Sequence, residues 1–232
     1  FLLKEKQGVE IKTYLAENYT DLASIYSSIE NNETALECIK KALSIAKPIN
    51  AHWEVGDSYE FMFAHYFEQK EYALAEKYID SAQTMFTLVE NVQGIQVLDK
   101  YRAEIYLKEN KPDLAIKIYN SLLQLDKQDD IAYILADGYT FLSKAYTKKK
   151  NFKLATKYLD SARAQAAISE NVSHLFSIAS QQANIYKEKR QLDLGISALT
   201  TILNRQDLKP FQESQKELFK ELYELYKLNK AL

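Results

Sequence analysis

The chain has 232 residues, 47% hydrophobic and 27% charged, and its 30 basic and 32 acidic side chains give a formal net charge of −2. It contains only 5 glycines and 3 prolines, whereas average usage would supply about 16 and 12. This scarcity argues against turn-rich β-sandwiches and glycine-loop nucleotide binders, and the near-neutral charge argues against a nucleic-acid-binding surface. The composition predicts an all-α chain without a β-sheet.

The single cysteine, Cys38, argues against an internal disulfide and a cysteine metal cluster, and its apolar helical surroundings predict a buried thiol. No apolar run is long enough to predict a membrane span, and the first residues lack the pattern of a signal peptide. Because the sequence starts at Phe1 and stops without a capping pattern, we expect it to be a piece of a longer protein. The compartment, cytoplasm or periplasm, stays open.

A repeat of 40 residues runs along the whole chain. Five of the six repeat tyrosines are followed nine positions later by a small residue, and thirteen positions later by a large apolar one. Because separations of three, four and seven residues share one helix face, each unit is predicted to be two antiparallel helices, A and B. The tyrosines are Tyr26, Tyr66, Tyr106, Tyr146, Tyr186 and Tyr226, and the small residues are Ala35, Ala75, Ala115, Ala155 and Gly195.

The repeat spacing predicts the elements in chain order. Residues 1–8 are predicted to end a preceding B helix, since Leu2 falls in register with Ala42. The predicted A helices lie at 10–30, 51–69, 92–109, 130–149, 171–189 and 211–228, with B helices between them. The repeat units span 10–48, 51–90, 91–128, 129–168, 170–208 and 210–232, the last one partial. Turns are predicted at 31–32, 70–71, 110–111, 150–151 and 190–191.

Local start and stop residues support these joints. Asparagine and aspartate are good N-cap residues, and proline is well placed at the first position of a helix. The predicted N-caps are Asn91, Asn171 and the pair Asp129 and Asp130. Of the prolines, Pro112 and Pro210 are predicted to open helices and Pro48 to end one.

The repeat pattern resembles the tetratricopeptide repeat. The matching residues are Tyr19, Leu22, Ala23, Tyr26, Ala35, Ile39 and Ala42 in repeat one, and Tyr139, Leu142, Ser143, Tyr146, Ala155, Leu159 and Ala162 in repeat four. The third repeat departs at Asp99 and Arg102, and the fifth at Ala179, Gln182 and Gly195. The resemblance implies a right-handed α-solenoid over the whole chain, forming one domain, with a peptide-binding concave face lined by the A helices.

Two narrower resemblances stay open. The segments 78–82 and 158–162 are similar to the sensory arrays of Bacteroidetes signalling proteins, which precede kinase or helix-turn-helix output domains. The length of the repeat is also similar to that of the Rap- and PlcR-type peptide receptors of Firmicutes. Either family implies a bacterial signal-transduction or transcriptional regulator.

No motif of an enzyme or of a metal or cofactor site is found in the sequence. The histidines lack a second ligand at helical spacing and are interpreted as structural or surface residues; they are His52, His65 and His174. Asp57 and Asp137 occupy equivalent positions two repeats apart, which is too far for a catalytic pair. Trp53 is interpreted as a packing residue. The lysines at 148–150 are interpreted as the end of a helix, where positive charge is favourable. No catalytic residue and no cofactor is predicted.

The remaining candidate site is the A-helix face of repeats three to five. Lysines with a nearby asparagine and flanking aromatic rings could hold a peptide backbone and a carboxylate, similar in type to the carboxylate clamp of chaperone-binding arrays. The candidate residues are Lys100, Tyr101, Lys108, Phe141, Lys144, Lys148 and Asn184. They predict an acidic peptide or protein segment as partner, and the competing interpretation is that they are solvated helix positions.

Three functions are left open by the sequence: a sensory module with an output domain elsewhere, a stand-alone scaffold or assembly factor, and an array accessory to an enzyme. The partner is predicted to be a protein or peptide, with no direct binding of nucleic acid. Uncapped ends further predict self-association through residues 1–8 or 221–232.

Overall fold

The computed structural model of the protein describes residues 2–129, 132–169 and 171–231. Within these ranges the chain forms eleven α-helices and two short 3-10 turns, Lys47–Ile49 and Gln206–Leu208, and no β-strand. The helices are α1 Leu2–Ser28, α2 Asn32–Ala46, α3 His52–Glu68, α4 Tyr72–Leu88, α5 Val92–Lys108, α6 Pro112–Asp129, α7 Ala132–Lys148, α8 Phe152–Ser169, α9 Val172–Glu188, α10 Leu192–Leu203 and α11 Gln212–Lys230. None of these helices is both long and apolar enough to cross a bilayer.

The alternation of A and B helices is confirmed, with odd-numbered helices as A and even-numbered helices as B. One prediction at the start of the chain is wrong: residues 2–28 form a single helix, so residues 2–8 do not end a separate B helix. The joint expected there would fall at Gly8, which is in register with Pro48. A glycine costs a helix only about 1 kcal/mol, whereas proline costs about 3, so α1 continues through Gly8.

Every A-to-B turn within the array has the same hydrogen-bonded form. The carbonyl of the repeat tyrosine accepts a bond from the N–H five residues later, as in Tyr26 to Asn31 at 2.9 Å and Tyr146 to Asn151 at 2.9 Å. This is the Schellman motif, whose penultimate residue needs a left-handed backbone. These residues have φ between 57° and 63°, and none is glycine: Glu30, Lys70, Asn110, Lys150 and Arg190. These tight turns therefore form without glycine, the residue that favours a left-handed backbone.

The predicted N-caps at Asn91 and Asn171 are confirmed. The Asn91 side chain accepts from the N–H of Gly94 at 2.9 Å, and that of Asn171 accepts from Ser173 at 3.0 Å. Asp129 does not open α7 but is the last residue of α6, and Asp130 lies outside the described residues.

The prolines follow the predicted pattern closely. Pro112 is the first residue of α6, and Pro48 lies in the 3-10 turn that follows α2. Pro210 stands two residues before α11 begins, with Phe211 as the N-cap. Proline therefore marks a helix boundary at each of its three positions.

The chain divides into two compact units, Phe1–Ile105 and Tyr106–Leu232, with the boundary inside α5. In each unit the cores form where A and B helices pack through the small residues nine positions after the tyrosine, as in the clusters of Ala75 in unit 1 and Ala155 in unit 2. Gly195 takes this role in α10, where an added Cβ would lie 3.3 Å from both the Ala183 carbonyl oxygen and Leu225 Cδ1. Cys38 belongs to a buried cluster of unit 1, as predicted.

The two units share a second, longer period of 80 residues. In unit 1, Tyr78 of α4 stacks on Tyr66 with ring centroids 5.4 Å apart and lies 6.1 Å from Tyr59. The equivalent rings in unit 2 repeat this arrangement: Tyr158 lies 5.3 Å from Tyr146 and 6.2 Å from Tyr139. A tyrosine of the B helix thus lies near two aromatic rings of its A helix in both units.

Candidate functional site

The histidines have structural surroundings. His65 is buried and its Nε2 lies 2.7 Å from the Gln69 side-chain amide, one turn further along α3. The sequence showed no partner for His174 at helical spacing, but in the structure its Nε2 lies 3.2 Å from Asp137 Oδ1 on the neighbouring A helix. In the ranges that the structure covers, no group of three or more His, Cys, Asp or Glu side chains could hold a metal ion.

The A-helix face of unit 1 is acidic around Asp57. Burial, followed by the charges of Glu60 and Glu54, raises the pKa of Asp57 from 3.8 to about 6, and a hydrogen bond from Trp53 opposes this shift. Burial also raises the pKa of Glu60. The charges that shift the pKa of Asp57 are all carboxylates, since Glu17 adds to Glu60 and Glu54. This face therefore disfavours further negative charge.

Tyr101, the candidate aromatic residue of unit 1, belongs to the same surroundings. Its ring lies 4.7 Å from that of Phe63, and burial together with the charges of Glu104, Glu60 and Glu68 raises its pKa. Its neighbour Lys100 is half-buried. Tyr101 is thus a packing residue bordered by carboxylates, which is a poor environment for an acidic ligand.

The corresponding face of unit 2 carries lysines. Lys144 Nζ lies 4.9 Å from the ring centroid of Phe141, and Phe141 stacks on Tyr119 of α6 at 5.1 Å. Lys148 follows Lys144 by one helical turn and is exposed. Neither ammonium group forms an ion pair with any described carboxylate. Lys108, the other candidate lysine of this unit, is exposed at the end of α5.

A buried polar network lies beside these lysines and was missed by the sequence analysis. Gln181 of α9 is 2% exposed, and its amide donates to Ser143 at 3.0 Å and to Thr147 at 2.9 Å on α7. The exposed Asn184 donates to the Gln181 carbonyl oxygen at 3.4 Å. Asn184 is thereby linked to the same two turns of α7 that carry Lys144. The hint in the sequence is that a glutamine stands where repeats two to four have Phe61, Tyr101 and Phe141.

The departures from the repeat pattern at Asp99 and Arg102 have a structural cause. The Arg102 guanidinium donates to Gln83 Oε1 at 2.9 Å and pairs with Asp80 at 2.7 Å, while Gln83 donates to Asp99. Eighty residues later the same contact recurs with the two side chains exchanged.

In that second instance Arg163 of α8 donates to Gln182 of α9 at 2.7 Å. Polar pairs therefore join a B helix to the next A helix at these two positions. The equivalent residues at the other joints are apolar, as in Leu43 and Met62. These departures are structural contacts between repeats.

The geometry just described agrees with the comparisons to known proteins. The sequence model of the tetratricopeptide repeat family matches residues 16–48 and 102–129. These two stretches have the sequence pattern of tetratricopeptide repeats. No curated protein matches it in sequence.

Solved tetratricopeptide structures have the same fold. A Signal Transduction ATPase with Numerous Domains (STAND) protein with a tetratricopeptide repeat sensor, from Pyrococcus horikoshii, matches with a TM-score of 0.70 and 17% identity, over 95% of this chain but only 38% of its own. Two structures of nearly identical tetratricopeptide-like repeats from Podosopora anserina, described as those of a kinesin light chain, match with TM-scores of 0.62 and 0.61. Their identities are 16% and 13%, and the matches cover 95% and 90% of this chain and 98% and 97% of theirs.

At these identities the likeness concerns the fold, and the predicted α-solenoid of helix-turn-helix repeats is confirmed. Tetratricopeptide repeats are in general non-catalytic scaffolds that bind proteins. The residues that contact such a partner are not identified by the comparisons.

Proposed function

We propose that this tetratricopeptide array is the sensory, non-enzymatic module of a bacterial signal-transduction or transcriptional regulator, and that it binds an acidic peptide segment on α7 and α9. The sensor function is supported by the archaeal STAND protein, whose own array is named a tetratricopeptide repeat sensor. The charge of the ligand is supported by the side chains on the A helices of unit 2.

The observation that carries the proposal is the pair Lys144 and Lys148. The two side chains are one helical turn apart on the same face of α7, and neither is neutralised by a carboxylate among the described residues. Two unpaired cations at this spacing can each bond a carboxylate of an extended or helical peptide.

Asn184 supplies the uncharged part of the proposed contact. One N–H of its amide bonds to Gln181, so a second N–H and the carbonyl oxygen remain for a peptide backbone. Because Gln181 also bonds to Ser143 and Thr147, a ligand that engages Asn184 acts on the polar contact between α7 and α9. This gives the sensor a physical link from its ligand to the packing of neighbouring A helices.

The proposed contact is narrower than the sequence analysis predicted. Lys100 and Tyr101 lie in unit 1, where Tyr101 is bordered by Glu60 and Glu104. We assign the acidic ligand to the residues of unit 2 and leave Lys100 and Tyr101 out of the contact.

The test is a charge reversal with a matched control. Fluorescent peptides of graded charge, from four aspartates to four lysines in a common alanine-serine frame, are titrated with the full chain at low salt. We expect the acidic peptides to bind best, with affinity that falls as salt is added. The variant Lys144→Glu/Lys148→Glu should lose at least tenfold in affinity.

The control variant is Lys153→Glu/Lys157→Glu, which makes the same change of charge at the same spacing on the exposed face of α8. It should retain most of the binding. Equal loss in both variants would show that only the net charge matters, and loss in the α8 variant alone would place the site on the B helices. Either result contradicts the proposal.

A further inference from the structure

The A-to-B turns of unit 2 are strongly basic. The three turn segments 106–113, 146–153 and 186–193 together carry nine basic and four acidic side chains, and the rest of unit 2 carries eleven of each. The two equivalent segments of unit 1, 26–33 and 66–73, together carry one basic and four acidic side chains. The positive excess of unit 2 therefore lies at its turns, and we call these three segments the basic edge.

The charges of the basic edge are exposed. Neighbouring turns lie beside each other, since Lys149 of the second segment forms an ion pair with Asp113 of the first. The second and third segments carry six further cations, and none of them forms an ion pair with a carboxylate among the described residues. These exposed side chains are Lys148, Lys150, Lys153, Lys187, Lys189 and Arg190.

Helix geometry accounts for only some of these charges. Lys148 and Lys187 lie in the last turns of α7 and α9, where cations complement the helix dipole. Lys150 and Arg190 hold a left-handed backbone with φ of 57° and 59°, a position that favours glycine or asparagine. Lys153 is the second residue of α8, where the dipole favours negative charge. The fold gains nothing from a cation at these last three positions, which indicates contact with a partner.

Leucine side chains accompany the cations. The third residue of each B helix of unit 2 is a leucine; Leu114 is 46% exposed, Leu194 is 48% exposed and Leu154 is half-buried. A soluble polyanion offers such side chains no apolar contact, whereas the boundary between lipid headgroups and acyl chains removes them from water. Cations beside exposed apolar side chains are the combination by which peripheral segments bind anionic membranes.

We propose that the basic edge of unit 2 docks on the surface of a membrane that contains anionic phospholipids. The cations attract the headgroups, and each one near such a surface strengthens binding by about fivefold. The leucines at the start of the B helices insert between the headgroups. This docking needs no membrane-spanning helix, and it is independent of the acidic peptide proposed above, so its test uses no peptide.

The test is co-sedimentation of the full chain with lipid vesicles. Vesicles of phosphatidylcholine alone are compared with vesicles in which about one-third of the lipid is phosphatidylglycerol. We expect binding to the anionic vesicles only, weakened by added salt because the charges are screened. The variant Lys150→Glu/Arg190→Glu should bind about tenfold more weakly or worse. Glutamate is accommodated at these turns, since Glu30 has the same left-handed backbone with φ of 61°.

The control variant is Lys117→Glu/Lys157→Glu, which reverses two charges in register on the exposed side of α6 and α8. It should retain most of the binding. The leucines are tested by Leu194→Ser, which should weaken binding about threefold. Leu74→Ser changes the same repeat position in unit 1, where the side chain is 38% exposed, and should leave binding unchanged.

Three results would overturn the proposal. The first is equal binding to neutral and anionic vesicles, or to neither. The second is equal loss in the two charge-reversal variants, which would mean that only the net charge matters. The third is displacement of the chain from the vesicles by soluble polyglutamate at an equal concentration of negative charge, because an acidic protein would then be the better occupant of the edge.

Discussion

The two units have the same helical framework but carry net charges of opposite sign. Residues 1–105 carry 10 basic and 17 acidic side chains, whereas residues 106–232 carry 20 and 15. The contrast is sharpest at equivalent positions of α3 and α7, where Glu60 and Glu68 of unit 1 correspond to Thr140 and Lys148 of unit 2. The tyrosine stacks beneath these surfaces are nearly identical.

The difference separates the residues that specify the fold from those that can vary between repeats. The repeat tyrosines and small residues are held by stacking, burial and the turn hydrogen bonds, so they recur in both units. The outward positions of the A helices have no such constraint, and their charge can differ between repeats. Under the proposed function, we expect the partner to contact residues that do not repeat.

The largest expected effect concerns the polar contact between neighbouring A helices. Gln181 bonds to two hydroxyls of α7, whereas in unit 1 the polar contact between α1 and α3 is a single bond of 3.4 Å between Thr20 and Ser58. Gln181→Leu should lower the free energy of unfolding by about 1–3 kcal/mol, because it leaves the buried Ser143 hydroxyl without its partner.

Thr20→Val is the comparison in unit 1, and it should cost less than about 1 kcal/mol. Chemical denaturation of both variants measures the two losses. Equal losses would mean that the A-helix contacts of the two units are equally important, which contradicts the contrast drawn above.

The second effect is a pH dependence that belongs to unit 1. Because the pKa of Asp57 is raised from 3.8 to about 6, the folded chain binds a proton there more tightly than the unfolded chain does. The stability that this group contributes is present below pH 4 and is lost as the pH rises to 6. Since Asp57 is partly exposed, solvent screening limits the loss to about 1 kcal/mol.

Asp57→Asn should flatten the fall in unfolding free energy between pH 4 and 6, leaving a smaller decline from Glu60, whose pKa is also raised. Denaturation at half-unit pH steps in this range measures both curves. An equally steep fall in the unfolding free energy of the variant would show that ionisation of Asp57 does not destabilise unit 1.

The smallest effect tests whether the turns of the two units are alike. Lys70 and Lys150 hold the same left-handed position with φ of 63° and 57°. Replacing either by glycine should stabilise the chain by about 0.5–1 kcal/mol, since glycine adopts this backbone without steric strain. Thermal unfolding of the two single variants should show similar shifts, and a gain in only one would mean that the turns differ.

The fold could be predicted from the sequence because the same pattern of apolar and small residues recurs in each 40-residue unit. Six tyrosines in register locate the helices, and Asn91 and Asn171 locate two of their starts. The start of α1 was predicted wrongly because register alone cannot tell that Gly8 is tolerated inside a helix where Pro48 ends one. The sequence located the turns at Lys70, Lys150 and Arg190 but not their left-handed backbone, since lysine and arginine carry no local preference for it.

The contacts around the candidate site could not be predicted from the sequence, for a geometric reason. The contacts that shape it join neighbouring A helices at separations that differ from the repeat length, such as His174 with Asp137 and Gln181 with Ser143. Comparing residues at multiples of 40 does not bring these pairs together. The repeat register was enough to predict that Lys144, Lys148 and Asn184 lie on the outward side of the A helices. Of the carboxylates around Tyr101, Glu60 and Glu68 come from another helix and could be identified only in the folded structure.

The central claim, that the A helices of unit 2 rather than those of unit 1 bind an acidic segment, is tested most directly by nuclear magnetic resonance. The isotope-labelled full chain is titrated with the four-aspartate peptide, and the amide shifts are mapped on the sequence. The account predicts that the largest shifts cluster at residues 141–148 of α7 and 181–188 of α9. Largest shifts on α3 around Asp57, or on the B helices, would contradict it.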